Sequence, residues 1–178
     1  MLFRSAYLLP GFVDAHAHIA DPASARRALA SGVTTARVLG DAYLKGLATR
    51  DLIRQHDLQG PEMLASGGHI RPVLGEPFVL SFPQFGQYLD KPLHGVEQVR
   101  AVAQAVIARG ADVLKVGASE RAGLANTDPR RGELTQEEMA AVVQEGAKHG
   151  LYVAAHAHGR GGVRAAVLAG VRSIEDRK

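Results

Sequence analysis

Apolar and polar positions along the chain follow a repeating order. Four times, a segment with helical spacing ends in glycine and a short apolar run follows, with the glycines at 32, 110, 150 and 170. Glycine in this place is typical of a helix C terminus, where the chain adopts a left-handed conformation. Short runs that are apolar throughout are expected of strands buried on both faces of a parallel sheet. The pattern therefore predicts an α/β fold built of βα units.

The same periods place six strands and five helices. The strands are predicted near 12–16, 33–39, 62–66, 112–118, 152–156 and 171–175. The helices are predicted near 23–31, 44–56, 95–109, 135–149 and 161–169. Thr135 followed by Glu138 forms a capping box, which marks the start of the helix predicted from 135. Together these elements make about five and a half βα units in a single domain over residues 1–178.

Residues 67–94 interrupt this order. They are rich in glycine and proline and show no clear period. A loop of this length inside a domain is usually either functional or disordered. The aromatic side chains of Phe78, Phe82, Phe85 and Tyr88 favour order. Two interpretations stay open, a lid over a site and a mobile excursion without function.

Composition narrows the possible functions. The 178 residues suffice for one core, and the net charge is +3. Basic residues are scattered and not interleaved with aromatics, so we expect no nucleic-acid binding. The chain has no cysteine, so a metal would have to be held by histidine, carboxylate or a modified side chain. No apolar run reaches the roughly 20 residues of a membrane span, and the N-terminal run is too interrupted for a signal peptide, so a cytoplasmic protein is expected.

Two pairs of histidines stand at the ends of predicted strands. His16 and His18 lie in FVDAHAHI, and His156 and His158 lie in YVAAHAHG. Residues two apart share one face of a strand, so each pair can direct two imidazoles to one point. Neutral imidazole is a good ligand for zinc and similar metals. Asp14 has the same parity and could support the first pair from behind; the alternative is a set of polar residues at strand ends.

A lysine occupies a comparable position in ADVLKVGAS. Lys115 is flanked by apolar residues, where an ammonium group is unfavourable unless it is paired or modified. The alternative is a lysine that extends to solvent from the strand end. In parallel βα architectures, functional residues gather at the C-terminal ends of strands. Three strand ends that carry His, Lys and His therefore predict one shared site.

Five segments resemble a known family when they are taken in order. LLPGFVDAHAHI, SGVTTARVLG, GADVLKVGAS, LYVAAHAHG and AGVRSIE, from about residue 8 to 175, resemble the amidohydrolase superfamily, in particular its imidazolonepropionase-like and prolidase-like metal-dependent hydrolases. The resemblance implies a (β/α)₈ TIM barrel with one or two divalent metals, often zinc. It implies that His16, His18 and His156 are metal ligands and that Lys115 is a catalytic residue and metal ligand, of the kind that in many members is carboxylated and bridges two metals. His158 would orient the site or contact the substrate, and the reaction would be hydrolysis of a C–N bond in a dipeptide or cyclic amide.

The chain departs from the family pattern at its C-terminal end. The family motif reads SIEHG, with a ligating histidine, whereas this chain reads SIEDRK, so that Asp176 takes the ligand's place. The later strands, including the one that supplies an aspartate base, do not follow, and residues 1–10 are at most a remnant of the family's small β-sandwich. Val38 stands where an acidic residue is frequent, while Arg37 is kept. The resemblance therefore predicts a barrel truncated to about five to six βα units.

Three functions stay open on the sequence alone. The first is a metal-dependent amidohydrolase that acts on a small-molecule or dipeptide substrate. The second is a catalytically incomplete remnant or fragment of such an enzyme with at most partial metal binding. The third, a flavodoxin-like binding domain, is disfavoured because DAHAHIADPAS is not glycine-rich. Six strands cannot close the barrel, so we expect self-association or a completing chain to cover the open sheet edges.

Overall fold

The computed structural model describes residues 7–176 and shows an α/β fold of parallel strands alternating with helices. The strands are β1 Phe12–Ala17, β2 Val33–Val38, β3 Glu62–Ala65, β4 Leu114–Gly117, β5 Val153–His156 and β6 Ser173–Glu175. The α-helices are α1 Pro22–Ala30, α2 Lys45–Arg54, α3 Glu76–Ser81, α4 Val96–Ala108, α5 Gln136–Ala147 and α6 Arg160–Ala169. Two 3₁₀ helices span Ala42–Leu44 and Pro83–Tyr88. The predicted α/β class is confirmed. Of the remnant predicted at 1–10, residues 1–6 lie outside the described residues and 7–10 have no regular structure.

Local sequence signals explain where the helices begin and end. The capping box predicted at Thr135 and Glu138 opens α5, and a second box joins Asp21 and Ser24 at the start of α1. All four glycines that follow helical segments have positive φ angles between 70° and 92°. They end the helices and turn the chain back into the sheet, as the repeated pattern predicts.

The strands form two hydrogen-bonded sheets, where the sequence predicted a single one. Their orders are β1-β2-β3 and β4-β5-β6, and every neighbouring pair is parallel. The ladder of β3 ends at Ala65, and two glycines carry the chain on to Ile70. Ile70 then forms an isolated parallel bridge with Val116, and the Asp112 N–H donates to the Ala65 carbonyl. These bonds join the sheets edge to edge, so the six strands follow one another in chain order.

Residues 67–94, which the sequence sets apart as a long loop, contain two short helical elements. They contain α3 and the second 3₁₀ helix. Phe78, Phe82 and Phe85 are buried, and the first two rings stack with centroids 4.7 Å apart. These rings belong to the same apolar core as α4 and α5. Burial of three aromatic side chains stabilises the segment against the helices, which opposes the interpretation as a mobile excursion.

Successive side chains along the strands point alternately to an apolar outer face and to an inner face that is polar at the strand ends. Ala36, Val38, Met63 and Ala65 point outwards and pack with the helices. The inner face carries a small apolar cluster of Leu39, Val113 and Ala154. Above it lie polar side chains from the C-terminal ends of the strands. In the part of the chain that the structure describes, no helix is long and apolar enough to cross a membrane.

Candidate metal centre

All six predicted site residues line one cavity. It has a volume of about 510 Å³ and lies at the C-terminal ends of β1, β4, β5 and β6. The predicted residues on its wall are His16, His18, Lys115, His156, His158 and Asp176. The fold thus brings together side chains that lie up to 160 positions apart in the sequence.

The ring of His16 is oriented by carboxylates. Its Nδ1 lies 3.2 Å from Glu175 Oε2 and 3.7 Å from Asp176 Oδ1. Nδ1 therefore faces two carboxylates, which leaves Nε2 as the ring nitrogen for a further ligand. Asp14 acts differently from the prediction, because its carboxylate accepts from the backbone N–H of His16 at 3.0 Å and so holds the strand rather than the ring. Strand β1 has an irregular register between Asp14 and Ala17, and such bulges re-aim side chains.

His156 and Asp176 form a second oriented pair. His156 Nδ1 lies 2.7 Å from Asp176 Oδ2, while His156 Nε2 is buried and has no hydrogen-bond partner among the described residues. Burial lowers the pKa of His156 in spite of this bond. Burial alone would raise the pKa of Asp176, but the bond from His156 and the nearby His16 and Lys115 lower it overall. In this carboxylate–histidine pair, Nε2 of the neutral ring keeps a lone pair that can bind a metal.

Lys115 is the least satisfied charged group of the site. The residue is 2% exposed, and its Nζ is buried without a hydrogen-bond partner in residues 7–176. Burial lowers the pKa of Lys115 to about 8, even though Glu175 and Asp176 raise it. A buried ammonium without a partner is unfavourable, so this position calls for a further ligand or a modification of the amine.

His158 is held in one tautomer by the backbone. Its Nδ1 accepts from the Ala122 N–H at 2.9 Å, so in the neutral ring the proton resides on Nε2. The buried Ser119 hydroxyl accepts from the backbone N–H groups of His158 and Gly159, at 2.9 and 3.2 Å. The strand end is therefore fixed, and the ring presents an N–H donor rather than a lone pair to the cavity.

His18 lies at the open side of the cavity. Its side chain is 56% exposed, and its ring centroid is 5.2 Å from that of His16. Burial and the neighbouring His16 lower the pKa of His18. Asp41 Oδ1 lies 3.9 Å from His18 Nδ1, and burial raises the pKa of Asp41 to about 6.

Sequence reasoning missed three participants. His69 lines the cavity with a buried Nε2 that has no partner among the described residues, 6.1 Å from His156 between ring centroids. Arg37 crosses from β2 to β6, where it donates to Glu175 and to Ser173 Oγ at 3.1 Å. Arg121 also lines the cavity. None of these residues belongs to a repeated motif. Arg37 gave a partial signal, because this chain keeps the arginine of the resembled family's motif at that position.

The residues present fit a divalent metal. His156, His158 and Asp176 each offer a ligand atom, and these atoms lie within 4.8 Å of one another. The unpartnered Nε2 of His156 and Nζ of Lys115 face the same cavity, as expected where a cation completes the bonding. His158 fits the ligand role less well, because ligation through Nε2 would move its proton to Nδ1 and oppose the Ala122 N–H. His16 and Lys115 are therefore the better companions of His156.

Comparison with known proteins gives one family. The model of the amidohydrolase family matches residues 7–178. An ochratoxinase from Aspergillus niger is 28% identical over 208 residues, which cover 97% of this chain and 43% of the relative. A Xaa-Pro dipeptidase with methionine bound in its active site superposes with a TM-score of 0.76 at 29% identity, covering 93% of this chain and 47% of that one. A prolidase in complex with N-methylphosphonate-L-proline gives a TM-score of 0.70 at 26% identity, again with 93% and 47% coverage. The chain thus spans less than half the length of these relatives.

Proposed function

Because this chain belongs to the amidohydrolase family, we propose that it forms the metal-binding part of an enzyme that hydrolyses a carbon–nitrogen bond. The observation that carries this proposal is the pair of buried, unpartnered nitrogen atoms, Lys115 Nζ and His156 Nε2, on the wall of one cavity. The relatives named as dipeptidase, prolidase and ochratoxinase support a small-molecule substrate, with a dipeptide or a cyclic amide as the candidate class.

Metal binding would use residues that are already oriented. We propose one or two zinc ions held by His16, His18 and His156, with Glu175 and Asp176 fixing two of the rings through Nδ1. When bound, the metal would lower the pKa of a water molecule and polarise the scissile carbonyl. The geometry favours an orienting role for Asp176, since Oδ2 is engaged by His156; its role as a ligand stays a prediction.

Lys115 has the properties that carboxylation requires. Carbon dioxide reacts with a neutral amine, forming an N–C bond and releasing one proton. At a pKa of about 8, roughly a tenth of the amine is neutral at pH 7, far more than for an ordinary lysine. The product is an anion, which would replace an unfavourable buried ammonium by a carboxylate able to bridge cations. We propose this modified Lys115 as a ligand.

His158 would act on the substrate rather than on the metal. Its Nε2 carries the proton and lines the cavity, so it can donate a hydrogen bond to a carbonyl oxygen as negative charge develops there. Ser119 fixes the strand end and so the position of this donor. We propose His158 as a catalytic residue in this sense.

The first test is metal content. Protein purified without chelator is expected to retain metal, measured by elemental analysis on a discrete species from gel filtration. His156→Ala should remove a large part of the metal, whereas His149→Ala, which removes an exposed histidine two residues after α5, should not. Wild-type protein without metal, or a His156→Ala variant with unchanged metal, would contradict the proposal.

A second test separates the enzyme from the incomplete remnant. Hydrolysis of a dipeptide panel, abolished by chelator and by His158→Ala, would support the enzyme. Metal binding without turnover would support a remnant or fragment with a partial site. Both outcomes leave the metal-content result unchanged, so the two questions can be answered independently.

The sheet edges suggest an association surface. Strand β1 pairs only with β2, and β6 only with β5, among the described residues. Strand β1 exposes the apolar side chains of Val13 (71%) and Phe12 (62%), and Leu8 just before the strand is 99% exposed. We propose that self-association or a completing chain covers these edges. Val13→Arg should shift the mass measured by light scattering towards the monomer, and Val167→Arg on exposed α6 should not; equal masses would contradict this. We further propose a cytoplasmic location for this chain.

A further inference from the structure

Arg37 lies on the inner face of β2 and is bonded through all three nitrogen atoms of its guanidinium group. Nε donates to the Ala15 carbonyl of β1 at 2.7 Å. Nη1 and Nη2 donate to β6, at 3.1 Å to Ser173 Oγ and at 2.5 Å to Glu175 Oε1. The side chain is 16% exposed. One residue therefore ties together β1 and β6, which no strand ladder joins among the described residues.

The two oxygens of the Glu175 carboxylate have different partners. Oε1 accepts from Arg37 and also from the Ser173 hydroxyl, at 2.6 Å. Oε2 lies 3.2 Å from His16 Nδ1, and the Glu175 side chain is 7% exposed. Rotation of the carboxylate would break two hydrogen bonds, one of them charge-assisted, so Oε2 stays directed at the His16 ring.

Arg37 also fixes the backbone just before His16. Strand β1 has its irregular register between Asp14 and Ala17, and the Ala15 carbonyl lies in this part. Regular ladder bonds are disrupted at such a place, so the bond from Arg37 Nε to the Ala15 carbonyl supplies the restraint. Arg37 therefore acts on His16 twice, on its backbone through Ala15 and on its ring through Glu175.

The fixed carboxylate decides which nitrogen of His16 carries the proton. Carboxylate oxygens only accept hydrogen bonds, so in the neutral ring the proton resides on Nδ1, opposite Glu175 Oε2, and the lone pair resides on Nε2. A ring nitrogen binds a metal only when it bears no proton. Since His16 lines the metal-centre cavity, the position of the Glu175 carboxylate determines whether His16 can serve as a ligand through Nε2.

We propose that Arg37 is a positioning residue of the metal centre, which holds Glu175 and the Ala15 carbonyl so that His16 keeps its proton on Nδ1 and its lone pair on Nε2. The role of His16 as a ligand rests on the proposed function, whereas the proton position is a property of the metal-free protein. The geometry requires the fork of an arginine and not only its charge. Lysine has a single side-chain nitrogen, which cannot reach acceptors on both β1 and β6.

The first test measures the proton position in chelator-treated protein. Long-range proton–nitrogen correlation spectra at about pH 8, where an ordinary histidine is neutral, show which ring nitrogen is protonated, and His16→Gln assigns the signals. Wild-type His16 should carry its proton on Nδ1. Glu175→Gln should move it to Nε2, because Arg37 holds the amide oxygen and the amide N–H then donates to Nδ1. A proton that stays on Nδ1 in this variant would overturn the proposal.

The second test compares Arg37→Met and Arg37→Lys. Both variants should give a mixture of the two His16 tautomers, and both should weaken binding of cobalt(II), followed by its visible absorption, by about 10–100-fold. Arg54→Met is the matched control, because Arg54 forms ion pairs with Glu62 and Asp112 outside the cavity. This control should leave the tautomer and the cobalt(II) affinity unchanged.

The outcomes separate this proposal from the metal proposal. Arg37→Lys with the wild-type tautomer would show that the charge alone suffices, and Arg37→Met with the wild-type tautomer would show that Arg37 has no role; either result overturns the proposal. If the Arg37 variants do not fold, as judged by circular dichroism, Glu175→Gln decides, since its proton moves only when Arg37 orients the amide. Wild-type protein that binds no cobalt(II) would contradict the metal proposal, and the tautomer results would not change.

Discussion

Replacement of Lys115 by methionine is expected to stabilise the metal-free protein at neutral pH. Burial lowers the pKa of Lys115 from 10.5 to about 8, so the folded state holds the proton less tightly than the unfolded state does. At about 1.36 kcal/mol per pKa unit, the charged form reduces the free energy of unfolding by about 3 kcal/mol. Methionine has a similar length and no charge, so it removes this term while it keeps most of the packing.

The pH dependence has a definite sign. Below pH 8 the lysine is charged in both states, and the full penalty applies to the folded state. Between about pH 8 and 10.5 the folded state releases the proton while the unfolded state retains it, so wild-type stability should rise with pH across this window. The Lys115→Met variant lacks this rise, and the two proteins should converge towards the top of the window.

Urea unfolding followed by circular dichroism, with chelator present, measures both effects. The free energy of unfolding is obtained at several pH values from 7 to 10 for wild type, Lys115→Met and the control Lys91→Met. Lys91 is exposed, so its replacement should change stability by less than about 0.5 kcal/mol. A Lys115→Met variant that is less stable than wild type at pH 7, or a wild type whose stability does not rise above pH 8, would refute the reasoning.

Three further substitutions test other contacts. Arg50→Met should lower the free energy of unfolding by about 1–3 kcal/mol, because the Gly110 carbonyl and the Asp112 carboxylate lose the donor that lies 2.6 Å from each, although the Ala65 N–H and Arg54 still donate to Asp112; a change below about 0.5 kcal/mol in urea unfolding would contradict this. Ser119→Ala should lower it by about 1–3 kcal/mol, since two backbone N–H groups lose their acceptor, and hydrogen exchange at His158 should speed up. Asp176→Asn should weaken metal binding by about 10–100-fold in a competition titration, because His156 loses its charged partner; unchanged affinity would assign Asp176 no orienting role.

The regular part of the fold could be predicted because its signals are local. Each strand overlaps its predicted range, and the five predicted helices begin and end within two residues of their observed bounds. Glycine turns, the Thr135 capping box and apolar periods all act over a few residues, so a single sequence contains them. The division into two sheets joined at Ile70 could not be predicted, since it depends on pairing between segments that are 46 residues apart.

Residues 67–94 show where periodicity fails. Phe78, Phe82 and Phe85 pack on one another, but α3, which carries Phe78, is only six residues long, and Phe85 lies in the 3₁₀ helix that follows. Such short elements have no sustained 3.6-residue period, so the aromatic spacing could not be distinguished from an irregular loop.

The candidate site could also be predicted only in part. The six residues taken from strand ends all reach one cavity, because parity and the C-terminal end of a strand fix where a side chain points. The partners that orient them are different. Glu175 on His16 and Ala122 on His158 are tertiary contacts over 159 and 36 positions, and no local pattern encodes them. His69 follows two glycines alone, without a second histidine at strand spacing to indicate it.

The bonds from Arg37 to Ser173 and Glu175 also bear on the order of folding events. They join residues 136 and 138 positions apart, and Glu175 in turn holds His16, so the centre forms only after the first and last strands have met. Contacts of such large sequence separation carry a high loop-closure entropy and form late in folding. A metal ion bound there would therefore leave the refolding rate almost unchanged and would lower the unfolding rate. Its effect would be to increase the kinetic stability of the native state.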